Sequence, residues 1–166
     1  FQLECVLIKR ADTGQWAIPG GMVDEGENVS NTLRREFEEE AASNNDNACL
    51  DRIFENPIPI FKGYSDDPRN TDHAWIETSC SMFFPMNNCD GLKLLHDNRE
   101  TLKAQWVSFA DLSLMDLFAS HKFLLNRALH VAQNMLALNS EAYKNKFSLS
   151  LSQIMLTKKR DLSYVS

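Results

Sequence analysis

Residues 33–41 restrict this chain more than any other stretch, because they place two unlike surfaces side by side on one helix. At about 100° per residue, Glu36, Glu39 and Glu40 fall within an arc of roughly 100°. Leu33, Phe37 and Ala41 fill the adjacent arc, so the helix must bury that strip against a sheet while keeping three carboxylates grouped at its margin. Glu38 points to the opposite side. Asn28 can cap the helix, and the pattern predicts it from there to about Ala42. Upstream, Pro19 ends an extended segment, and Gly20 and Gly21 permit backbone angles that other residues avoid.

Strand signals surround this helix. Phe1 to Ile8 alternates and then turns apolar, Ala11-Asp12-Thr13-Gly14 is turn chemistry, and Gln15 to Ile18 completes a hairpin. Ser43 to Asn47 is polar and reads as a loop. Ile58 to Tyr64, Ala74 to Phe84 and Lys103 to Phe109 read as further strands, with Pro85 to Thr101 mainly loop. From Asp111 to about Leu138 the pattern is helical, with Leu124, Leu125, Ala128, Leu129, Ala132, Met135 and Leu136 on one face. The order β-β-α-β-β-β-α indicates an α/β layered domain with a mixed sheet. The expected division is a domain over residues 1–139 and a C-terminal tail, 140–166, of unknown role. In that tail Phe147 to Ser152 alternates like a strand and Lys158-Lys159-Arg160 is a small basic cluster.

A chain of 166 residues with 43% hydrophobic and 24% charged residues fits one soluble domain. Its net charge of −6 disfavours a nucleic-acid partner, whose phosphates call for a basic surface. An acidic chain can still take a phosphorylated metabolite if divalent cations stand between them. Cys5, Cys49, Cys80 and Cys89 show no metal-ligand spacing and read as reduced, buried thiols, and the four dispersed histidines argue against zinc. No apolar run is long enough to span a membrane and no signal peptide is visible, so no membrane contact is expected from this segment. The first residue, Phe1, suggests a piece of a longer chain.

The chemistry lies in the carboxylates. Three of them at i, i+3 and i+4 repel one another, and with no cationic position inside their arc a bound divalent cation would relieve the repulsion. Such hard oxygen ligands suit Mg²⁺ or Mn²⁺. Arg35, one turn before Glu39, can orient the carboxylates. Glu27, at the helix N-terminus, can serve as a cap, a metal ligand or both. Gly, Glu, Arg and three further Glu at these offsets arise by chance with odds on the order of 10⁻⁵ in a chain this long, from average residue usage. An ordinary solvated acidic helix is therefore a poor account of the pattern.

The set Gly21, Glu27, Arg35, Glu36, Phe37, Glu39, Glu40 resembles the Nudix box, Gx5Ex7REUxEExGU. It departs only at the end, where Ala42 and Ser43 replace Gly and an apolar residue. The resemblance implies a Nudix α/β/α sandwich that hydrolyses a nucleoside diphosphate linked to another group. Trp16 to Asp24 and Lys62 to Thr78 further resemble the animal mitochondrial-type ADP-ribose pyrophosphatases. They equally resemble the C-terminal domain of melastatin-type, ADP-ribose-gated cation channels. That likeness covers roughly residues 1–138 and lacks the N-terminal subdomain of the known enzymes.

What the resemblance implies is Mg²⁺-dependent conversion of ADP-ribose and water to AMP and ribose 5-phosphate. The metals would be held by Glu36, Glu39 and Glu40, with Glu27 and a carbonyl of Gly20 or Gly21. The general base is open between one of those glutamates and Glu100. The alternative is an ADP-ribose sensor within a larger channel chain, with or without hydrolysis. Either way the location would be intracellular: mitochondrial, cytoplasmic, or the cytoplasmic face of a membrane. Between the strands, Arg69 can fork onto phosphate, Asn70 and Asp72 can bond ribose hydroxyls, and Trp75 or Trp16 can stack on adenine. The competing account of that segment is a turn rich in Asp, Asn and Pro beside a buried Trp. His121 reads as a structural hydrogen-bond donor.

Overall fold

A computed structural model describes residues 3–42, 47–84, 92–94 and 100–138, with backbone alone for 136–138 and 153–164. Strand β1 (Glu4–Arg10) organises it. Cys5 and Leu7 face one side of the sheet and Val6 and Ile8 the other, all of them buried, which is why this strand reads as a continuous apolar run.

On one face, Val6 and Ile8 meet helices α1 (Val29–Glu40) and α2 (Asn47–Phe54) through Leu33, Phe37, Leu50, Ile53 and Phe54. Phe54 joins the rings of Phe37 and Phe83, with centroids 5.6 and 4.5 Å apart. On the other face, Cys5 and Leu7 meet helix α3 (His121–Leu138) through Leu124, Leu125, Ala128 and Ala132. Helix, sheet and helix make the α/β/α sandwich expected from the sequence.

The remaining strands are β2 (Trp16–Ala17), β3 (Ile58–Tyr64), β4 (Ala74–Phe83), β5 (Thr101–Ser108) and β6 (Gln153–Tyr164). Their order is β2-β1-β6-β4-β3, with β5 also paired to β1. The β1–β6 pairing is parallel (Glu4↔Gln153, Cys5↔Ile154) and the other pairings are antiparallel, so the sheet is mixed. Between Lys9 and Arg10 the β1–β5 register shifts, a bulge that re-aims the side chain at the end of the strand.

Four features depart from the sequence reading. Helix α2 follows the Asn-rich stretch and had no counterpart in it. The long helical pattern from Asp111 splits into a 3-10 turn at Leu112–Leu114 and α3. The segment between them is held by β2: Trp16 N–H donates to Asp116 O (2.9 Å) and Phe118 N–H to Trp16 O (2.9 Å), so these backbone groups serve a bridge instead of a helix. Lys158–Arg160, read as a cluster in the tail, lies within β6 opposite Thr78–Cys80. The strand expected at Phe147–Ser152 and the loop residues 43–46 lie outside the described residues, as does most of the loop after Pro85. Finally, Cys5 and Cys80 are free and buried but Cys49 is disulfide-bonded, which corrects the reading of reduced thiols throughout; linear spacing does not reveal which thiols meet in space.

Candidate active site

The acidic face of α1 is set by its N-terminus. Asn28 Oδ1 accepts from Asn31 N–H (2.9 Å), the N-cap expected from the sequence. Thr32, buried one turn later, donates its hydroxyl to Glu27 Oε2 (2.7 Å) and so fixes that carboxylate at the helix entrance.

Arg35 gathers the acidic side chains. Its Nε and Nη2 donate to the two oxygens of Glu27 (3.2 and 3.1 Å), and its Nη1 donates to Glu36 Oε1 (2.9 Å) and Glu39 Oε2 (3.3 Å). Nη2 also reaches Met22 O at 3.3 Å. Its position on the helix lies outside the glutamate arc, but its length brings the guanidinium among the carboxylates, so the expectation of no cation there is corrected. The Arg35 and Thr32 contacts hold Glu27 well down, at about 2. Glu38, expected to point away, is half-buried and bonds Arg34 Nε at 2.9 Å; Arg34 also pairs with Asp51 and so ties α1 to α2.

Glu36 and Glu40 are the buried members, each 8% exposed, and both abut the Gly20–Gly21 turn. Gly20 N–H donates to Glu40 Oε2 at 2.7 Å, and Gly20 has φ +151°, a conformation reserved for glycine. Gly21 lies against the Glu36 carboxylate so closely that any Cβ would overlap it. Burial raises Glu36, against the pull of Arg35. Burial likewise pushes Glu40 up to about 8, helped by the charges of Glu36 and Glu100 and opposed by Gly20 N–H and Arg10.

Glu100 reaches the site because its carbonyl accepts Ala11 N–H (3.0 Å) beside the β1 bulge, which sets its charge close enough to act on both buried glutamates. The same bulge aims Arg10, which the sequence reading missed. Arg10 pairs with Asp12, lies 4.4 Å over the Phe118 ring and opposes the raised state of Glu40. Arg69 stands 5.9 Å from the same ring. An Arg at a strand end followed by an Asp-containing turn was the available signal for Arg10; nothing linear pointed to Phe118.

The segment after β3 is braced internally. Arg69 forks onto the buried Asp67 at 2.7 Å through both Nε and Nη2. The Asn70 amide bonds Tyr64 Oη (3.1 Å), Ser65 O (2.8 Å) and Ile76 N–H (2.8 Å), so all its polar atoms serve the loop. That geometry favours the turn account for Asn70. Asp72 is exposed, Trp75 is half-buried in β4, and Trp16 packs on the α3 face of the sheet. His121 is buried, and its Nδ1 accepts Ile18 N–H at 2.8 Å. It is structural, as expected, but as an acceptor; this bond fixes the strand just before Pro19.

Among the described residues no three His, Cys, Asp or Glu side chains form a ready-made metal cage. The donor chemistry nonetheless fits a hard divalent ion. Three carboxylates share one guanidinium with Glu40 beside them, and burial makes Glu36 and Glu40 hold a proton more readily than an exposed carboxylate.

An α/β/α sandwich that presents a Gly-Gly turn against buried glutamates of one helix defines a Nudix domain. The NUDIX domain model matches residues 1–127, and the chain belongs to that family. Nudix hydrolases as a class use a divalent metal. The mitochondrial ADP-ribose pyrophosphatase of Rattus norvegicus is 40% identical over 131 residues, 72% of this chain and 37% of that protein. Transient receptor potential cation channel subfamily M member-like 2 of Nematostella vectensis is 47% identical over 135 residues, 75% of this chain and 9% of that protein. The chain thus spans well under half the length of either relative. The solved NUDIX domain of Shewanella oneidensis NrtR, complexed with ADP ribose, shares the fold with a TM-score of 0.56 at 20% identity, covering 78% of this chain and 82% of that one.

Proposed function

We propose that this domain hydrolyses the diphosphate of ADP-ribose to AMP and ribose 5-phosphate with Mg²⁺, Mn²⁺ serving as a substitute. One observation carries the reading: Glu27, Glu36 and Glu39 are gathered on a single guanidinium beside Glu40, and the two buried carboxylates are fitted to Gly20 and Gly21. The rat relative's name supports the choice of substrate.

A divalent cation held by Glu36, Glu39 and Glu40, with Glu27 and a carbonyl of the Gly20–Gly21 turn, supplies charge neutralisation for a diphosphate and a more acidic water. The protein's own groups do the rest. Arg35 keeps the carboxylates together and Gly20 N–H orients Glu40. Glu100 or one of the helix glutamates takes the proton from the attacking water. Arg69 can leave Asp67 for a phosphate. Asp72, Trp75 and Trp16 remain candidates for the ribose and base, whereas Asn70 supports the loop.

Incubation with ADP-ribose and Mg²⁺ should release AMP, and Glu39→Gln/Glu40→Gln should abolish it. A second reading is an ADP-ribose-sensing domain within a melastatin-type channel, favoured by the Nematostella relative. Binding of ADP-ribose without AMP release would favour that reading and overturn hydrolysis. In either case the location is intracellular and the ligand a small nucleotide, with no nucleic-acid partner. No helix among the described residues is long and apolar enough to cross a membrane.

A further inference from the structure

Strand β6 stands in the middle of the sheet but is held mainly from one side. It pairs along the whole of β4, from Ala74↔Tyr164 to Phe83↔Met155, and meets β1 only at Glu4↔Gln153 and Cys5↔Ile154. Further along, β1 is paired instead with β2, at Ile8↔Ala17 and Lys9↔Trp16. The two halves of the sheet also meet without β6. Phe83 of β4 packs on Phe54 at 4.5 Å in the core beneath α1 and α2, and Ile60, Cys80 and Met82 share the core beneath α3 with Cys5 and Leu7.

The register places charge where a central strand accepts it least. Ile76, Thr78, Cys80 and Met82 form one row of β4, and all four are buried. Opposite that row stand Leu162, Arg160, Lys158 and Leu156 in turn. Two cations therefore occupy the register positions of Thr78 and Cys80, each only 1% exposed. An apolar residue there would add burial, whereas a cation must keep its water or lose it at a cost. In the other row Asp161 lies directly opposite Glu77, a like-charge pairing that weakens a ladder, and Lys159 lies opposite Ser79. Leu156 and Leu162 suit the place and the charged centre between them does not. Such a local conflict lowers the stability of this strand without touching the rest of the sandwich.

Helix α1 packs against β6, so this strand lies under the element that carries Glu36, Glu39 and Glu40. We propose that β6 is a displaceable strand: it leaves and rejoins the gap between β1 and β4 as a unit while the sandwich around it stays folded, and its seating steadies the acidic helix. A cation bound at the carboxylates then favours the seated strand, and release of the strand loosens the site. Only this coupling rests on the metal-dependent reading; the release of the strand does not.

Hydrogen exchange of the whole chain, first metal-free in chelator and read by mass spectrometry of its peptides, tests both parts. A central strand ordinarily exchanges among the last, but β6 peptides should exchange about tenfold or more faster than those of β1 and β5. Equal protection would overturn the proposal. Lys158→Leu/Arg160→Leu, with circular dichroism to verify folding, should slow β6 exchange about tenfold, as expected when two cations leave a buried row. Lys159→Leu, in the other row, should leave it as in the parent; an equal slowing there would overturn the argument from register. Mg²⁺ at about ten times its Kd should slow β6 exchange about tenfold, because it stabilises the seated form in proportion to its binding. Mg²⁺ that binds by calorimetry and leaves β6 exchange unchanged would overturn the coupling. A chain that binds no Mg²⁺ would overturn the metal-dependent reading instead, with release of the strand still decided by the metal-free exchange.

Discussion

Gly21 and Glu36 fill adjoining space so tightly that a single methyl on Gly21 would overlap the Glu36 carboxylate. The glycine is therefore a contact surface for an acidic side chain, and its lack of a side chain is the property in use.

From this contact, Gly21→Ala should displace Glu36 and lower kcat by about 10–100-fold, the usual cost of losing a partner that orients a metal ligand. Far-UV circular dichroism should be unchanged, because Glu36 can rotate into the open site. A variant with full activity would show that the Glu36 position is not needed for turnover.

Arg35 holds three carboxylates together when no divalent ion is bound. Arg35→Ala should lower the Tm of the metal-free protein by about 2–4 °C, corresponding to about 1 kcal/mol for a half-exposed network. Added Mg²⁺ should then raise Tm more in the variant than in the parent. Calorimetry with and without chelator compares the two; equal metal-induced gains would argue against a shared role for Arg35 and cation.

Burial pushes the Cys5 thiol up to about 12 from an ordinary value of 9.0. The raised value means the fold disfavours the thiolate. Stability from Cys5 is thus complete below about 9 and declines as pH rises towards 12. At pH 8 without reductant, Cys5 and Cys80 should resist iodoacetamide in the native protein and both react after unfolding. Mass spectrometry of the two peptides reads the outcome, and native labelling of Cys5 at that pH would contradict its burial.

His121 supplies the acceptor for Ile18 N–H just before the Pro19-Gly20-Gly21 turn. His121→Leu should cost about 2 kcal/mol, the penalty for an unpaired buried donor, and lower Tm by about 4–8 °C. Since that turn carries the contacts to Glu36 and Glu40, activity should fall as well. His121→Asn, which keeps an acceptor on a short stem, should recover part of both, and scanning calorimetry beside an AMP-release assay tests the pair.

What could be read from the sequence was what depends on near neighbours. Asn28 capping α1, the clustering of Glu36, Glu39 and Glu40, and the apolar strip of Leu33 and Phe37 all follow from helical spacing. The contact of Arg35 with the carboxylates was expected from its place one turn before Glu39, but its guanidinium lying within the acidic arc was not, because a helical wheel places Cβ atoms and ignores side-chain length. In α2, Cys49, Leu50, Ile53 and Phe54 do carry helical spacing, but over only 8 residues, after a run of asparagines that argued for loop. The break before α3 left no glycine or proline signal; it arises from pairing with Trp16, about a hundred residues away. Asn70 illustrates the same limit, since its partners Tyr64 and Ile76 come together only when β3 and β4 pair.

Strand β6 lies between β1 and β4, though it is made some seventy residues after β4 ends. On the ribosome, both of those strands must therefore wait with part of an edge unpaired until Gln153–Tyr164 emerges. That interval is when the nascent chain is open to wrong partners, and a holding chaperone would matter most then.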